Sequence, residues 1–204
     1  MRSLLFISLL LLAASGAQAE EVSSARARKY AKTMQALIRA KSEEELTKFI
    51  DRMGELDHPR SVILIPPAVT LLPSKANYER AMEVISLLEN PEAIEALIKN
   101  FKKARSLDDK ALLLDSFGYR DDKATGEVIL GTFENKLLRI QLAGLRAAGR
   151  RRLKEAVDPL IAMVEARSGD RDLPWLESRR ALLGITGQDF EGAADWKKWW
   201  AVAR

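Results

Sequence analysis

Few side chains in this sequence could perform chemistry. The chain has one histidine, His58, and no cysteine, so an acid–base or nucleophilic centre would lack its usual partner residues. His58 stands directly before Pro59 in a segment typical of a turn, which favours a surface loop position over a catalytic one. We therefore predict no catalytic residue.

Two aspartate pairs could contribute to a metal site, Asp108-Asp109 and Asp121-Asp122. Both stand at predicted helix starts, where a carboxylate satisfies free backbone N–H groups and favours the positive end of the helix dipole. Helix capping is therefore the favoured interpretation, and we expect neither a metal nor a cofactor. The sequence also lacks a glycine-rich phosphate-binding loop.

A basic run is the densest charge feature, and it comprises Arg146, Arg150, Arg151, Arg152 and Lys154. It lies at a predicted turn near a helix C-terminus, where cations are favoured in any case. A solvated turn is the simpler interpretation, but clustered arginines also recognise carboxylates and phosphates. We treat this run as the candidate site for an acidic partner or surface.

Three tryptophans near the end of the chain, Trp196, Trp199 and Trp200, are spaced i, i+3 and i+4. This spacing places them on one side of a helix. Aromatic clusters can bind glycans or peptides, but a closing helix must bury one face against the rest of the protein. We therefore predict that these tryptophans form a structural cap.

The elements that position these residues are predicted to be helices. Start signals include a capping box at Ser42 and Glu45, Asn90 before Pro91, and Ser106 before Asp109. Apolar residues follow at helical spacing, and no window shows sustained strand alternation. The expected apolar stripes are Leu46, Phe49, Ile50 and Met53; Leu138, Leu142, Leu145 and Gly149; and Val157, Leu160, Ile161 and Val164. The sequence therefore predicts an all-α fold.

Two segments are harder to assign. Residues 23–40 have helical apolar spacing among many basic residues. Residues 61–72 are apolar and begin with β-branched side chains, but Pro66 and Pro67 interrupt them. Because prolines break or kink a helix interior, we expect two short helical pieces about Pro66, with a buried strand as the alternative.

An alanine in the middle of an apolar helix recurs as Ala81, Ala111, Ala143 and Ala181. The steps are 30, 32 and 38 residues, and a second helix is predicted after each. Self-similarity at this period is typical of an α-solenoid of stacked antiparallel helix pairs. A small central residue lets neighbouring helices approach closely.

Residues 138–149, beginning Leu-Arg with a central Ala and Leu, and the following Ala156-Val157-Asp158-Pro159-Leu-Ile resemble a HEAT repeat. Residues 181–200 resemble the closing segment of exported bacterial HEAT-repeat proteins. The resemblance implies an α-solenoid and a tendency to bind proteins, and it implies no shared chemistry. It predicts a HEAT-like solenoid over residues 74–204 and an N-terminal extension or capping repeat over 20–73.

The first nineteen residues resemble a cleavable signal peptide. Arg2 is followed by an apolar run from Leu4 to Ala14, and Ala17-Gln18-Ala19 has the spacing of a cleavage site. No cysteine follows that could carry a lipid anchor. We expect an exported, periplasmic or extracellular protein with no transmembrane segment once the signal is removed.

The leading functional hypothesis is a non-enzymatic interaction or scaffold module that binds another protein. The formal net charge of +4 is small against 33 basic residues and 29 acidic residues, so a nucleic-acid partner is not expected. Two alternatives stay open. One is a peripheral binder of an anionic envelope polymer or membrane surface, and the other is a HEAT-like lyase-type enzyme.

Overall fold

The computed structural model describes residues 42–203 and, before them, only Ala25 and Lys32. The predicted signal peptide therefore lies outside the described residues, as does nearly all of the helix predicted over 23–40. All regular structure in the described part of the chain is helical, with no strand. The prediction of an all-α fold is confirmed for these residues.

The helices are short, and most are connected by turns of a few residues. A single turn of 3₁₀ helix, Lys154–Ala156, precedes α9. The α-helices are α1 (Glu43–Leu56), α2 (Pro59–Val62), α3 (Ile65–Leu71), α4 (Lys75–Ser86), α5 (Pro91–Lys103), α6 (Leu107–Phe117), α7 (Lys123–Leu130), α8 (Leu138–Arg151), α9 (Val157–Ala166), α10 (Leu173–Thr186) and α11 (Ala193–Ala203).

Most of the longer helices begin at a polar residue whose side chain accepts a hydrogen bond from a backbone N–H of the first turn. Such a cap supplies a partner for an amide that the helix itself leaves free. The capping residues are Ser74, Asn90, Ser106, Asp122 and Asp172, which begin α4, α5, α6, α7 and α10.

The predicted capping box at Ser42 is wrong, because its side chain makes no capping hydrogen bond. Helix α1 begins there nonetheless. Its first turn carries Glu43, Glu44 and Glu45, whose charges favour the positive end of the helix dipole. At the other end of the chain, α10 stops at Gly187 with φ 73°, a left-handed conformation that glycine adopts without strain.

Residues 59–71 form two short helices, α2 and α3, as expected. The break lies at Ile63 and Leu64 rather than at Pro66. Pro66 stands in the first turn of α3, where its missing N–H would have no helical partner in any case. The alternative of a buried strand is therefore wrong.

The helices lie in two rows. Row A consists of α1, α4, α6, α8 and α10, and each of these helices contacts the next one in the row. Row B consists of α2 with α3, then α5, α7, α9 and α11. In row B, α2 contacts α5, α5 contacts α7, and α9 contacts α11. One cluster of buried apolar side chains runs from Leu46 in α1 to Trp196 in α11.

The four recurring alanines all lie in row A and are buried. They occupy the interior of α4, α6, α8 and α10, as their spacing predicted. Small residues also bring the helix backbones close together. A Cβ atom added at Gly118, which directly follows α6, would lie 3.0 Å from the Ala147 Cα of α8, and one added at Gly149 would lie 2.9 Å from the Ala181 Cα of α10.

The predicted apolar stripe of α8 is partly wrong. Leu145 is buried, but Leu138 is exposed and Leu142 is only half-buried. The buried positions of α8 instead include Ile140, Ala143 and Ala147. Helix α8 contacts α6, α7 and α10, so its buried surface extends round most of the helix and leaves one outer ridge free.

Within the described residues, no helix combines the length and the apolar character that a membrane crossing requires. The large apolar side chains that are exposed in this part of the chain are Leu71, Leu87, Tyr119, Leu137, Leu138, Leu173, Leu183 and Val202. Leu138 is one of these exposed side chains, and it lies on the same helix as the arginines of α8.

Candidate functional site

Backbone and side-chain hydrogen bonds tie together the turns that follow α1 and α4. The Asp57 carboxylate accepts hydrogen bonds from the backbone N–H groups of Glu89 and Asn90, at 2.9 and 2.7 Å. The Asn90 side-chain amide donates in return to the Asp57 carbonyl at 2.8 Å. Each of these turns therefore satisfies polar groups of its neighbour.

Arg120 makes the same kind of connection between the turn after α6 and the end of α4. Its Nη1 lies 2.9, 3.0 and 2.9 Å from the carbonyl oxygens of Ile85, Ser86 and Leu88. Its Nε donates to Asp122 at 2.8 Å, and only 10% of the side chain is exposed. Sequence analysis missed this residue, because its partners stand more than thirty positions earlier.

Asp122 connects Arg120 to the next turn. Burial acts to raise the pKa of this carboxyl, but hydrogen bonds from Thr125 and Arg120 outweigh burial and lower it. The carboxylate caps α7, as predicted. Arg151 reaches the same place from α8, with its Nη2 donating to the Asp122 carbonyl and its Nη1 to the Thr125 hydroxyl, both at 2.9 Å. Arg151 therefore connects α8 to the start of α7.

Arg150 also bonds to another helix, although part of its side chain is exposed. Its Nη2 donates to Asp115 Oδ1 at 2.8 Å, and its guanidinium lies over the ring of Tyr119. Asp115 is only 7% exposed, and its other oxygen accepts a hydrogen bond from the Tyr78 hydroxyl at 2.6 Å. Burial is the main cause that raises the pKa of Tyr78, so its proton stays on the phenol. This network links α4, α6 and α8.

The predicted basic site therefore divides into two groups. Arg150 and Arg151 bond to other helices, whereas Arg146, Arg152 and Lys154 form no ion pair within the part of the chain that the structure describes. Arg152 and Lys154 are exposed at the turn, and Arg146 is half-buried on α8. The three residues left without an acidic partner are the ones available for binding.

Arg146 lies on a surface that also carries leucines. Helical spacing places Leu138, Leu142 and Arg146 on one ridge of α8, at i, i+4 and i+8. A matching ridge of α10 carries Leu173, Leu176, Arg180 and Leu183. Three of these leucines, Leu138, Leu173 and Leu183, are 47%, 54% and 42% exposed.

We call these seven residues the leucine–arginine face. Both ridges lie on the side of row A that points away from row B, because the opposite sides of α8 and α10 are buried. A cavity of about 550 Å³ opens at the N-terminal ends of the two helices. Its walls combine the apolar Leu138, Leu173 and Pro174 with charged residues of both signs, which are Glu134, Lys136, Arg167 and Asp172.

The three tryptophans do not share one environment. Trp196 is fully buried, and its Nε1 donates to the Phe190 carbonyl at 3.0 Å. Trp199 and Trp200 are half-buried and stack on each other, with ring centroids 5.9 Å apart. Trp199 also borders an open groove with Phe190 and Val202. That all three tryptophans cap the fold stays a prediction.

We predict that Trp196→Ala lowers the free energy of unfolding by about 3–5 kcal/mol, because it removes a large buried ring and leaves a cavity. Trp199→Ala should lower it by less, since that ring is partly exposed. Thermal unfolding followed by circular dichroism measures both. Equal losses for the two variants would show that the burial of these rings does not determine how much each one contributes to stability.

The remaining candidates for chemistry have structural partners. His58 begins α2, and its Nδ1 accepts a hydrogen bond from the backbone N–H of Arg60 at 3.1 Å. Asp108 and Asp109 lie in the first turn of α6, where their charges favour the helix dipole as predicted, but Ser106 rather than either aspartate accepts the capping hydrogen bond. Asp108 instead pairs with Arg139, and Asp109 accepts a hydrogen bond from the Thr70 hydroxyl at 2.8 Å. In the described part of the chain, no group of three potential metal ligands comes together.

Comparisons with known proteins give no relative on which to base a function. No protein-family model, curated protein or solved structure matches the chain. The resemblance of residues 138–161 to a HEAT repeat therefore stays an interpretation of the sequence.

Proposed function

We propose that this protein is an exported HEAT-like α-solenoid that acts as a non-enzymatic scaffold by binding another protein. The two rows of helices support the solenoid, because consecutive row-A helices contact one another through small residues such as Gly149 and Ala181. The apolar run and the Ala17-Gln18-Ala19 site support export. Hydrogen bonds between successive turns, such as those of Asp57 and Arg120, connect each helix pair to the next one in the stack.

The leucine–arginine face is the observation that carries the binding role. Three leucines lie exposed on two adjacent helices near Arg146, which forms no ion pair with the described residues. Apolar patches bordered by polar groups typically mark interaction sites, and arginine is enriched among the residues that dominate binding energy. Because the face points away from row B, a partner could reach it without disturbing the core.

Affinity capture from a native envelope extract tests this function. The tagged protein is compared with a Leu138→Glu/Leu173→Glu double variant and with a Leu87→Glu control, whose leucine is 69% exposed at the end of α4. We expect one discrete protein to stay bound to the wild type and the control after a high-salt wash, and to be lost from the double variant.

Two outcomes would contradict this proposal. If the captured protein bound equally well to the double variant, the leucine–arginine face would not be the binding site. If only polyanionic material bound, and was released as salt rose, the basic residues would be acting on an anionic envelope surface instead. Thermal unfolding of all three proteins confirms that each one is folded.

A further inference from the structure

We infer that the leucine–arginine face binds an acidic amphipathic helix of the partner protein, with Arg146 pairing with a carboxylate of that helix. This inference rests on the proposed scaffold function and adds the chemistry of the partner. It follows from the charge of one residue, the apolar surface around it and the geometry of the two helices that carry it.

The outer side of α8 carries three arginines. Arg139, Arg146 and Arg150 lie on that side at i, i+7 and i+11. Arg139 pairs with Asp108, and Arg150 pairs with Asp115. Arg146 forms no ion pair with any described residue, although its side chain is half-buried. Two of the three arginines therefore pair with aspartates of α6, and the middle one has no ion-pair partner among the described residues.

Arg146 acts electrostatically on Tyr78, which bonds to Asp115, but Asp115 already pairs with Arg150, and no described carboxylate forms an ion pair with Arg146. The Tyr78 hydroxyl keeps its proton and donates it to Asp115. On α10, Glu177 already pairs with Arg180 at 3.0 Å. A guanidinium presents a planar fork of donors that matches a carboxylate in a bidentate pair. An aspartate or glutamate from a partner is therefore the group that fits best.

Arg146 is bordered by apolar surface. Leu142 lies one helical turn before Arg146, and the exposed Leu173 and Leu183 lie along the adjacent ridge of α10. A polyanion would leave these leucines in water, whereas a protein segment with an apolar side would cover them. The combination of Arg146, which has no ion pair with the described residues, and several leucines therefore favours a protein partner over a polymer of phosphates or sulfates.

The leucine–arginine face is formed by two adjacent ridges. The backbones of α8 and α10 approach each other closely, because a Cβ added at Gly184 would lie 3.0 Å from the Gly149 carbonyl oxygen. The two ridges are therefore adjacent, and each extends about 12–15 Å at 1.5 Å per residue. That length matches roughly two to three turns of a third helix, whose apolar residues at i, i+3, i+4 and i+7 would lie between the ridges.

The open cavity at the N-terminal ends of α8 and α10 adjoins the face. Its volume of about 550 Å³ admits a large apolar side chain, and Leu138 and Leu173 both line it. An anchor residue inserted there would fix the position of the bound helix along the ridges. The carboxylate that reaches Arg146 would then lie about two turns further along, because Leu138 and Arg146 are eight residues apart.

Fluorescence anisotropy with a designed probe tests this inference. The probe is a labelled, helix-forming peptide of about 16 residues with leucines on one side and glutamates on the other. We expect saturable binding to the wild-type protein and at least a tenfold weaker affinity for Arg146→Glu. The control Lys123→Glu has the same change of charge on α7, where the lysine side chain is 92% exposed, and should change the affinity less than twofold.

A charge exchange makes the test specific. A probe with lysine in place of glutamate should bind Arg146→Glu better than it binds the wild type. Equal effects of Arg146→Glu and Lys123→Glu on the acidic probe would overturn the inference, and so would equally tight binding of hexaglutamate or of phosphatidylglycerol vesicles. Arg146 acts electrostatically on Tyr78, which donates to Asp115, so thermal unfolding of Arg146→Glu is measured beside Arg146→Gln, which removes the cation without adding an anion and should also weaken the acidic probe.

The outcome is separable from that of the proposed function. If the envelope protein is still captured through Leu138 and Leu173 but Arg146→Glu binds the acidic probe normally, the scaffold function stands and the acidic helix is wrong. If no envelope protein is captured while the probe shows the expected charge exchange, the face recognises acidic helices and the partner lies elsewhere. Loss of both results contradicts both proposals.

Discussion

Replacing Arg120 by alanine should lower the free energy of unfolding by about 3–4 kcal/mol, a large share of the stability of a domain this size. The guanidinium lies against three carbonyl oxygens at the end of α4 and pairs with Asp122. Without it, these carbonyls lose a charged donor in a place that water reaches poorly, and buried unsatisfied groups are costly. Thermal unfolding should show a midpoint about 10 °C lower.

Two further variants make this prediction specific to the contacts of Arg120. Arg120→Lys keeps the charge but cannot reproduce the separate Nε and Nη1 hydrogen bonds, so it should recover only part of the lost stability. Arg105→Ala removes an exposed arginine with no ion pair among the described residues and should change the stability by less than about 0.5 kcal/mol. An Arg120→Ala protein as stable as Arg105→Ala would show that these contacts contribute little.

The features that the sequence predicted well depend on contacts within a few residues. Asn90, Ser106 and Asp122 each cap a helix by bonding to a backbone N–H two or three positions later, so the local sequence contains both partners. The recurring alanines were predictable for a related reason. A small residue at a fixed period implies a close helix–helix approach, and all four alanines are buried in row A.

The features that the sequence did not predict depend on partners in other helices. The basic run was treated as one site, but Arg150 bonds to Asp115 and Arg151 reaches the turn before α7. Charge density along the chain cannot distinguish these residues from Arg146, because the difference lies in what α6 and α7 present to α8. Only the packing of the helices divides the run into a structural part and a part available for binding.

Leu138 shows the same limit for the core. Its helical spacing relative to Leu142 and Leu145 suggested a buried stripe, yet Leu138 is exposed. A periodic pattern predicts that one side of a helix is buried when the helix packs on one side only. Helix α8 is contacted by three neighbours, so small residues such as Ala143 and Ala147 are buried beside Leu145, while Leu138 and Leu142 lie on the outer ridge. The candidate binding face arises from this difference.

Close contact between α8 and α10 leads to the second large effect. Gly149→Val should lower the free energy of unfolding by about 3 kcal/mol or more, because its first added atom would lie 2.9 Å from the Ala181 Cα and a branched side chain adds two further methyl groups. The neighbour is backbone, which cannot rotate away, so the two helices would have to separate. Thermal and urea unfolding both measure this loss.

Gly149→Ala and Gly169→Ala complete the series. Alanine favours helix by about 1 kcal/mol over glycine, so a neutral site at Gly149 would become more stable with alanine. The contact with Ala181 predicts the opposite, a loss smaller than that of Gly149→Val. Gly169 has no atom within 4 Å of an added Cβ, so Gly169→Ala should leave the stability nearly unchanged. A stabilised Gly149→Ala protein would mean that α8 and α10 can separate at little cost, and that their two ridges are not held in the fixed arrangement that helix binding requires.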